Sequence, residues 1–335
     1  MSYSKPFREI RHLISELQTN GLTIPDPVQA EQFFRRVGYY RSGAYRYVFR
    51  QLLPEAERDV RTRTFRSDTY TPGSSLDEVV KLEEFDARLR DICQMGLADF
   101  EVRVRAAIAH VLARRDIFAH TAKEHLDKEH VDDLAGSGVN TKFDEWSTTY
   151  TKAIADSKLE DFIAHLLVKY GPPLPIWAMV DVLSFGSLPY LYELMKRDDR
   201  TEVARMFGVN QERRFAAWLR SMVDFRNYCA HGSRLFNRHF KRGIGIVPGA
   251  IDVNLLGHVL KDNFSSSDRP YGRLYINAAL LAYMLRTHAS GSRWHLQFKT
   301  VVRKLPPRAS GLIPVVDLEY NMGFPGSWDQ LELWQ

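Results

Sequence analysis

The chain has 335 residues, 44% of them hydrophobic, and a net charge of +5 at pH 7. This hydrophobic content suffices for a substantial core and excludes a disordered chain, while the length allows two average domains or one large helical body. The longest apolar run, from Ala278 to Leu285, is far shorter than the roughly 20 residues that span a bilayer, so we expect a soluble protein with no membrane partner.

Two cysteines and a polar N-terminus favour the cytoplasm. Cys93 and Cys229 are too few for a disulfide framework, and neither lies in a CxxC pair, which fits a reducing compartment. The residues from Met1 to Arg11 are mostly polar or charged, and no signal peptide is visible among them.

The first predicted elements are two helices near the N-terminus. Residues 5 to 19 predict an amphipathic helix that stops at Asn20 and Gly21. Asp26 and Pro27 then predict the N-cap and the first position of a second helix, which Gly38 interrupts.

Positive charge is concentrated in this part of the chain. Between Glu31 and Arg66 the sequence has nine arginines and four acidic residues, an excess that equals the net charge of the whole chain. Such a concentration is typical of a surface that meets a polyanion, and alternating arginines and aromatic rings can clamp phosphates and stack on RNA bases. The alternative is that the tyrosines pack in the core while the arginines are merely solvated. The predicted RNA-binding residues here are Arg35, Arg36, Tyr40, Arg41, Tyr45 and Arg46.

A loop or short ribbon is predicted over residues 58 to 72, where no clear period is present. A long helix follows. Ser75 begins it with Glu78 as its capping-box partner, and its apolar stripe continues to about Arg115, with Gly96 as a possible break.

Histidines in and after this helix invite functional interpretations. Arg105 and His110 repeat an Arg-x4-His spacing, but alanine and isoleucine fill the centre, so we expect His110 to pack between helices. His120, His125 and His130 follow at steps of five, which turn about 140° each on a helix and cannot aim three ligands at one ion. We therefore expect a solvated charged face without a metal, and the lack of a glycine-rich nucleotide loop predicts no cofactor.

The middle of the chain predicts several further helices. A loop is expected over 135 to 140, then helices over 146 to 155 and 158 to 170 before the breaker at 171 to 173. Residues 175 to 195 are apolar all round, which predicts a buried central helix that Gly186 and Pro189 kink or divide. A short helix over 198 to 207 follows, and Asn210 is expected to cap the next one.

The C-terminal third predicts three helices and a tail. The helices are expected over 251 to 262, over 274 to 287 and around 294 to 302, and the proline-rich tail from Leu305 predicts a peripheral strap. The chain is thus predicted to be all-α, with an N-terminal basic and aromatic helical segment over 1–74, a helical core over 75–240 and a C-terminal helical extension with its tail over 241–335.

The helix after Asn210 carries the strongest functional signal. Asn227 and His231 are four residues apart and share a face, and the long Arg226 side chain can reach back toward the imidazole. A fixed cation, an amide and a group that titrates near neutrality suit a phosphodiester. The predicted buried stripe of this helix is Phe215, Trp218, Leu219, Met222 and Val223.

These residues resemble a known family. Arg226 to His231 matches the Arg-Asn-x-x-x-His motif of the HEPN superfamily of RNA-cleaving helical domains, and its surroundings resemble abortive-infection proteins of the AbiD/AbiF type. Three further stretches carry the likeness, over 33–45, 83–90 and 174–186. Family members often have a second histidine where this chain has Gly232, a departure that leaves the main histidine, His231, in place.

The resemblance implies a HEPN-like helical bundle and a metal-independent endoribonuclease of a phage-defence or toxin–antitoxin system. RNA supplies its own nucleophile, the 2′-hydroxyl, so the protein needs a proton acceptor, a proton donor and a cation. His231 is the expected acid or base, Arg226 the expected phosphate ligand, and Asn227 orients the imidazole or the RNA. Arg234 and Arg238 downstream are expected to contact RNA.

One motif supplies one imidazole, although the acid and the base act at opposite oxygens. The resemblance implies that two motifs pair in a shared cleft, and we expect a homodimer, with a composite site within one chain as the alternative. A second function remains open, in which the protein is catalytically inactive and binds RNA, for example in a complex with a small structured RNA.

Overall fold

Helices dominate the computed structural model, which describes residues 6–62, 64–136, 138–260, 272–288, 291–306 and 321–335. These residues form fourteen α-helices and one sheet of two strands, so the predicted all-α class is confirmed. Within the described residues, no helix combines the length and the apolar character that a membrane crossing requires.

The helices are numbered in chain order. They are α1 Ile10–Thr19, α2 Pro27–Val37, α3 Tyr39–Arg46, α4 Leu76–Arg115, α5 Lys128–Val131, α6 Lys142–Asp156, α7 Asp161–Tyr170, α8 Ile176–Val182, α9 Leu188–Leu194, α10 Arg197–Met206, α11 Glu212–Ala230, α12 Val253–Leu256, α13 Leu274–Thr287 and α14 Trp294–Val302. Strands β1 Arg50–Leu52 and β2 Arg66–Tyr70 pair antiparallel, so a short ribbon is present, but only β2 falls within the predicted range of 58–72.

The chain divides into two units. Unit 1 takes its described residues from Met1–Arg90, Arg234–Arg238 and Thr300–Met322, and unit 2 takes them from Asp91–Ser233, His239–Lys299 and Gly323–Gln335. The boundary falls within α4. The predicted division at residues 74 and 240 stays a prediction, and residues 307–320 of the predicted strap lie outside the described residues.

Unit 1 begins with the two predicted helices. The Asp26 carboxylate accepts hydrogen bonds from the backbone N–H groups of Val28 and Gln29, so it caps α2 as expected. Gly38 ends α2 at a φ of 91°, which a residue with a Cβ rarely adopts. α1 starts later than predicted, because Phe7 is exposed and finds no core to join.

In unit 2 the core is built around α13, whose residues from Leu274 to Leu285 are all buried. Helix α4 also contributes buried residues to unit 2, and it runs unbroken past Gly96. The expected break there was wrong, because Gly96 serves packing: a Cβ at that position would lie 2.5 Å from the Trp294 ring. Trp294 also donates to the backbone oxygen of Ile92, at 2.7 Å.

In unit 2, one local prediction was confirmed and two were wrong. The apolar segment over 175–195 divides into α8 and α9 around Gly186, as one of the expected alternatives had it. Asn210 does not cap α11, since Gln211 holds the N-cap position without a side-chain bond. His120 is buried, rather than solvated, with its ring edge-to-face against Tyr150.

Candidate active site at the end of helix α11

Helix α11 ends at the predicted catalytic histidine. His231 is its C-cap residue, and the backbone N–H of His231 donates to Asn227. Gly232 follows with a φ of 61°, its N–H donates to Cys229 at 3.0 Å, and the Ser233 N–H donates to Tyr228 at 2.8 Å. This pair of bonds is a Schellman motif, which ends a helix and favours glycine at the left-handed position.

Gly232 therefore has a structural reason to depart from the family pattern. A histidine there would have to adopt a left-handed backbone, at a cost of about 1 kcal/mol or more. The imidazole of His231 itself lies at the surface, because the helix stops at this residue and no later turn covers it.

The opposite side of α11 holds the helix in place. Its buried residues include four of the five predicted in the stripe, while Val223 is half-buried. The members of the stripe that are buried are Phe215, Trp218, Leu219 and Met222, joined by Ala216, Ser221, Phe225 and Cys229. Because one side is fixed against the core, Asn227 and His231 lie along the more accessible side.

Arg226 projects toward α4 rather than beside the imidazole. Its Nε lies 4.0 Å from the Glu101 carboxylate, and its guanidinium lies 5.5 Å from the centre of the Phe185 ring. The side chain is 25% exposed, and Nε is buried without a hydrogen-bond partner among the residues that the structure describes. Helix geometry places Arg226 and His231 about 140° apart around α11, which explains why the two side chains leave the helix in different directions.

Glu101 is a site residue that sequence reasoning missed. It also hydrogen-bonds Arg105, so one carboxylate serves two guanidinium groups. Arg105 donates further to the backbone oxygen of Val180, on helix α8. The spacing of four between Glu101 and Arg105 was a visible signal for an ion pair on α4, but nothing in the sequence pointed to Arg226 as the second partner.

The second Arg-x4-His behaves differently from its prediction. His110 is exposed on α4 and does not pack between helices. Arg105 and His110 thus diverge, since the arginine is half-buried against Glu101 while the histidine faces solvent.

Unit 1 contains a buried carboxylate, Asp86, that connects two of the family-like stretches, 33–45 and 83–90, with residues 235 and 236. The Asp86 side chain is fully buried and accepts from the Tyr45 hydroxyl at 2.6 Å, from Arg90, and from the backbone N–H groups of Leu235 and Phe236 at 3.0 and 2.7 Å. Burial raises the pKa of Asp86, and these donors oppose that shift. Asp86 therefore fixes the backbone after Arg234.

Four of the predicted RNA-binding residues are accessible in unit 1. Arg35 pairs with Glu31 at 2.7 Å and Arg36 lies 3.7 Å from Glu83, while their side chains stay largely exposed. Tyr40 and Arg41 are exposed on α3.

Tyr45 and Arg46 require a correction. Tyr45 is 0% exposed, so neither face of its ring is open to a base. Arg46 is buried with its guanidinium 4.1 Å from the centre of the Tyr39 ring, and it donates to the Tyr39 backbone oxygen at 2.7 Å. Their burial argues against the predicted contact with RNA and for a role in packing α3.

Arg234 and Arg238 are half-buried in unit 1. Arg234 donates to the backbone oxygen of Ala44 at 3.2 Å, and Arg238 donates to the backbone oxygen of Arg234 at 3.3 Å. Part of each guanidinium is thus engaged within the unit.

Among the described residues, three side chains near α5 bring possible metal ligands together. Atoms of Asp127, Glu129 and His130 lie within 4.8 Å of one another. The Asp127 carboxylate already pairs with Arg200 at 3.0 Å and accepts from the backbone N–H of Glu129. His120 is not one of the three, and burial lowers its pKa to about 4.

The fold and the site define an all-α protein with an exposed histidine at the end of helix α11, which packs its other side against the core. The family profile described as Abi-like protein matches residues 32–237, more than half of the chain. The chain therefore belongs to the Abi-like protein family, which confirms the resemblance to abortive-infection proteins and associates the chain with phage defence. No curated protein and no solved structure matches it.

Proposed function

We propose that this protein is a metal-independent endoribonuclease of a phage-defence or toxin–antitoxin system, built on a HEPN-type site. The observation that carries the proposal is the exposed imidazole of His231 at the C-cap of α11, inside the matched family region. An accessible imidazole can exchange protons with RNA, whereas a buried one could not reach it.

His231 moves a proton at the scissile linkage. The 2′-hydroxyl of the RNA attacks phosphorus, its proton leaves to a base, and the departing 5′-oxygen receives a proton. The products are a 2′,3′-cyclic phosphate and a 5′-hydroxyl. Asn227 lies one turn before His231 on the same face, where its amide can hold the imidazole or the RNA.

Arg226 supplies the positive charge for the phosphate. Its Nε is 4.0 Å from Glu101, too far for a hydrogen bond, so the present pairing is a charge contact only. A phosphate offers two oxygens in the geometry that a guanidinium prefers and can replace this contact.

A homodimer would complete the site. The 140° separation of Arg226 and His231 around α11 makes it hard for one copy to hold both oxygens of a linkage. A second copy would add a second imidazole, so that one acts as the acid and the other as the base.

The alternative is an inactive protein that binds a small structured RNA. The exposed Arg35, Arg36, Tyr40 and Arg41 favour this reading, because they present cations and an aromatic ring in unit 1 without needing any chemistry. Either function uses RNA as the partner.

The decisive experiment compares two exposed histidines. We expect the purified parent to cleave RNA in the presence of a chelator, and His231→Ala to lose activity by about 100-fold or more while it still binds RNA. His110→Ala is the matched control, since His110 also ends an Arg-x4-His and is exposed, and it should retain activity. Catalysis is refuted if Arg226→Ala and His231→Ala both remain as toxic in cells as the parent.

A further inference from the structure

A second basic site lies in unit 2, on the first half of α11. A cavity of about 330 Å³ opens between this helix and residues 242–245. Its wall carries three guanidinium groups, those of Arg214, Arg220 and Arg242, and no carboxylate of the described residues lines it. This volume is at the lower end of the range for small-ligand sites.

The charges of these arginines are only partly balanced. Arg220 pairs with Glu193, and Arg242 Nε lies 2.6 Å from an Asp224 oxygen, so both carboxylates act from outside the cavity wall. Arg214 has neither a hydrogen bond nor an ion pair from its side chain among the residues that the structure describes. The wall therefore keeps an excess of positive charge.

The pKa of Arg220 is consistent with this excess of positive charge. Burial lowers the pKa of Arg220, and the charge of Arg242 lowers it further. Two cations that repel each other across a cavity gain from an anion placed between them.

The cavity is formed before any ligand arrives. Arg214, Trp218 and Ser221 lie on one side of α11, at spacings of three and four residues. Trp218 is buried, and its indole N–H donates to the Gly245 backbone oxygen at 3.3 Å. This bond ties residues 242–245 to the helix. The protein itself therefore joins the two sides of the cavity.

We propose that this cavity binds a phosphate group, held by the guanidinium groups of Arg214, Arg220 and Arg242. A guanidinium presents paired N–H donors that match two phosphate oxygens. The inference concerns residues outside the motif and outside the basic segment near the N-terminus.

The position of the cavity on α11 indicates where that phosphate comes from. Arg220, Asp224, Asn227 and His231 are spaced by four, three and four residues, so they form one line along the helix. Arg220 precedes His231 by a rise of about 16 Å. Resting on the ribonuclease function proposed above, the phosphate belongs to the RNA backbone, several nucleotides from the cleaved linkage.

The test is done on full-length His231→Ala protein, so that binding is measured without cleavage. Anisotropy of a labelled 2′-O-methyl RNA is followed over a series of salt concentrations. Arg214→Gln should weaken binding about tenfold and reduce the slope of log K against log salt by about 0.7, the value for one phosphate contact on a single strand. Ala217→Glu, which adds an acid to the exposed cavity wall and removes no interaction, should weaken binding at least as much.

Arg213→Gln is the matched control, since Arg213 is the adjacent residue, is 93% exposed and does not line the cavity. It should change neither the affinity nor the slope by as much. A second probe, a nucleoside 5′-monophosphate measured by calorimetry, separates free phosphate compounds from the RNA chain. Binding of this probe alone that depends on Arg214 would support the phosphate site and overturn its assignment to the RNA backbone.

The proposal is overturned if Arg214→Gln and Ala217→Glu bind both probes as Arg213→Gln does. That result would leave the nuclease function intact, because cleavage by the parent is measured separately. Conversely, a parent that binds RNA through Arg214 but never cleaves it would retain the phosphate site and refute the nuclease.

Discussion

At the residue scale, Arg226 shares a carboxylate with another cation. Glu101 lies 4.0 Å from Arg226 and hydrogen-bonds Arg105, and all three side chains are mostly shielded from water. In such surroundings the negative charge of Glu101 competes directly with a phosphate for Arg226. Glu101 therefore holds the Arg226 guanidinium in place and also weakens its electrostatic attraction to RNA.

This competition gives a prediction for Glu101→Gln. The glutamine keeps the shape of the side chain and removes its charge, so we expect uncleavable RNA to bind about fivefold more tightly. Anisotropy measures the affinity, and Glu202→Gln, which removes the same charge beside Arg114, serves as the control. Weaker binding by Glu101→Gln would contradict the competition and show that the charge positions Arg226.

At the scale of elements, Asp86 connects segments that are far apart in the sequence. One buried carboxylate on α4 holds Tyr45 of α3, Arg90 one turn later, and the backbone of residues 235 and 236. Backbone N–H groups that are buried without an acceptor are costly, so these contacts favour one arrangement of the segments.

Asp86→Ala is therefore expected to destabilise unit 1 strongly. It leaves the Arg90 cation and two backbone donors without their acceptor, at a cost of about 3 to 5 kcal/mol in the free energy of unfolding. Urea denaturation measures this loss. The control Asp68→Ala removes an exposed carboxylate that pairs with Arg50, which should cost about 1 kcal/mol at most. Equal losses in the two variants would refute the central role of Asp86.

At the scale of the whole molecule, buried histidines couple stability to pH. Burial lowers the pKa of His120 to about 4, and in the described part of the chain neither of its buried ring nitrogens has a hydrogen-bond partner. An unfolded histidine titrates near 6.5, so between about pH 4 and 6.5 the unfolded chain binds more protons than the folded one. The stabilising contribution is complete above this window and is lost as the pH falls through it.

We expect the free energy of unfolding to fall between pH 7 and pH 4, with His120 responsible for about 3 kcal/mol of the loss. His120→Phe keeps a ring against Tyr150 and removes the titrating group, so its pH dependence should be shallower than that of the parent. Denaturation at a series of pH values measures the difference. The exposed His110→Ala should follow the parent, and an unchanged slope in His120→Phe would rule out the coupling.

The local sequence determined where most helices begin and end. Asp26 caps α2, Gly38 ends it, and the prolines after Tyr170 separate α7 from α8, because each of these signals acts on the backbone within a few residues. The all-α class and the abortive-infection resemblance were also predictable, since periodicity and motif spacing are properties of the chain alone.

Only the tertiary structure decided which residues those helices cover. Helix α4 has a glycine at position 96 because the Trp294 ring occupies the space that a Cβ would take. Tyr45 is buried because its hydroxyl donates a hydrogen bond to Asp86. Likewise, Glu101 reaches Arg226 across a distance of 125 residues in the sequence. The partner in each case comes from a remote segment, and a local pattern of polar and apolar residues carries no information about which remote segment will approach it.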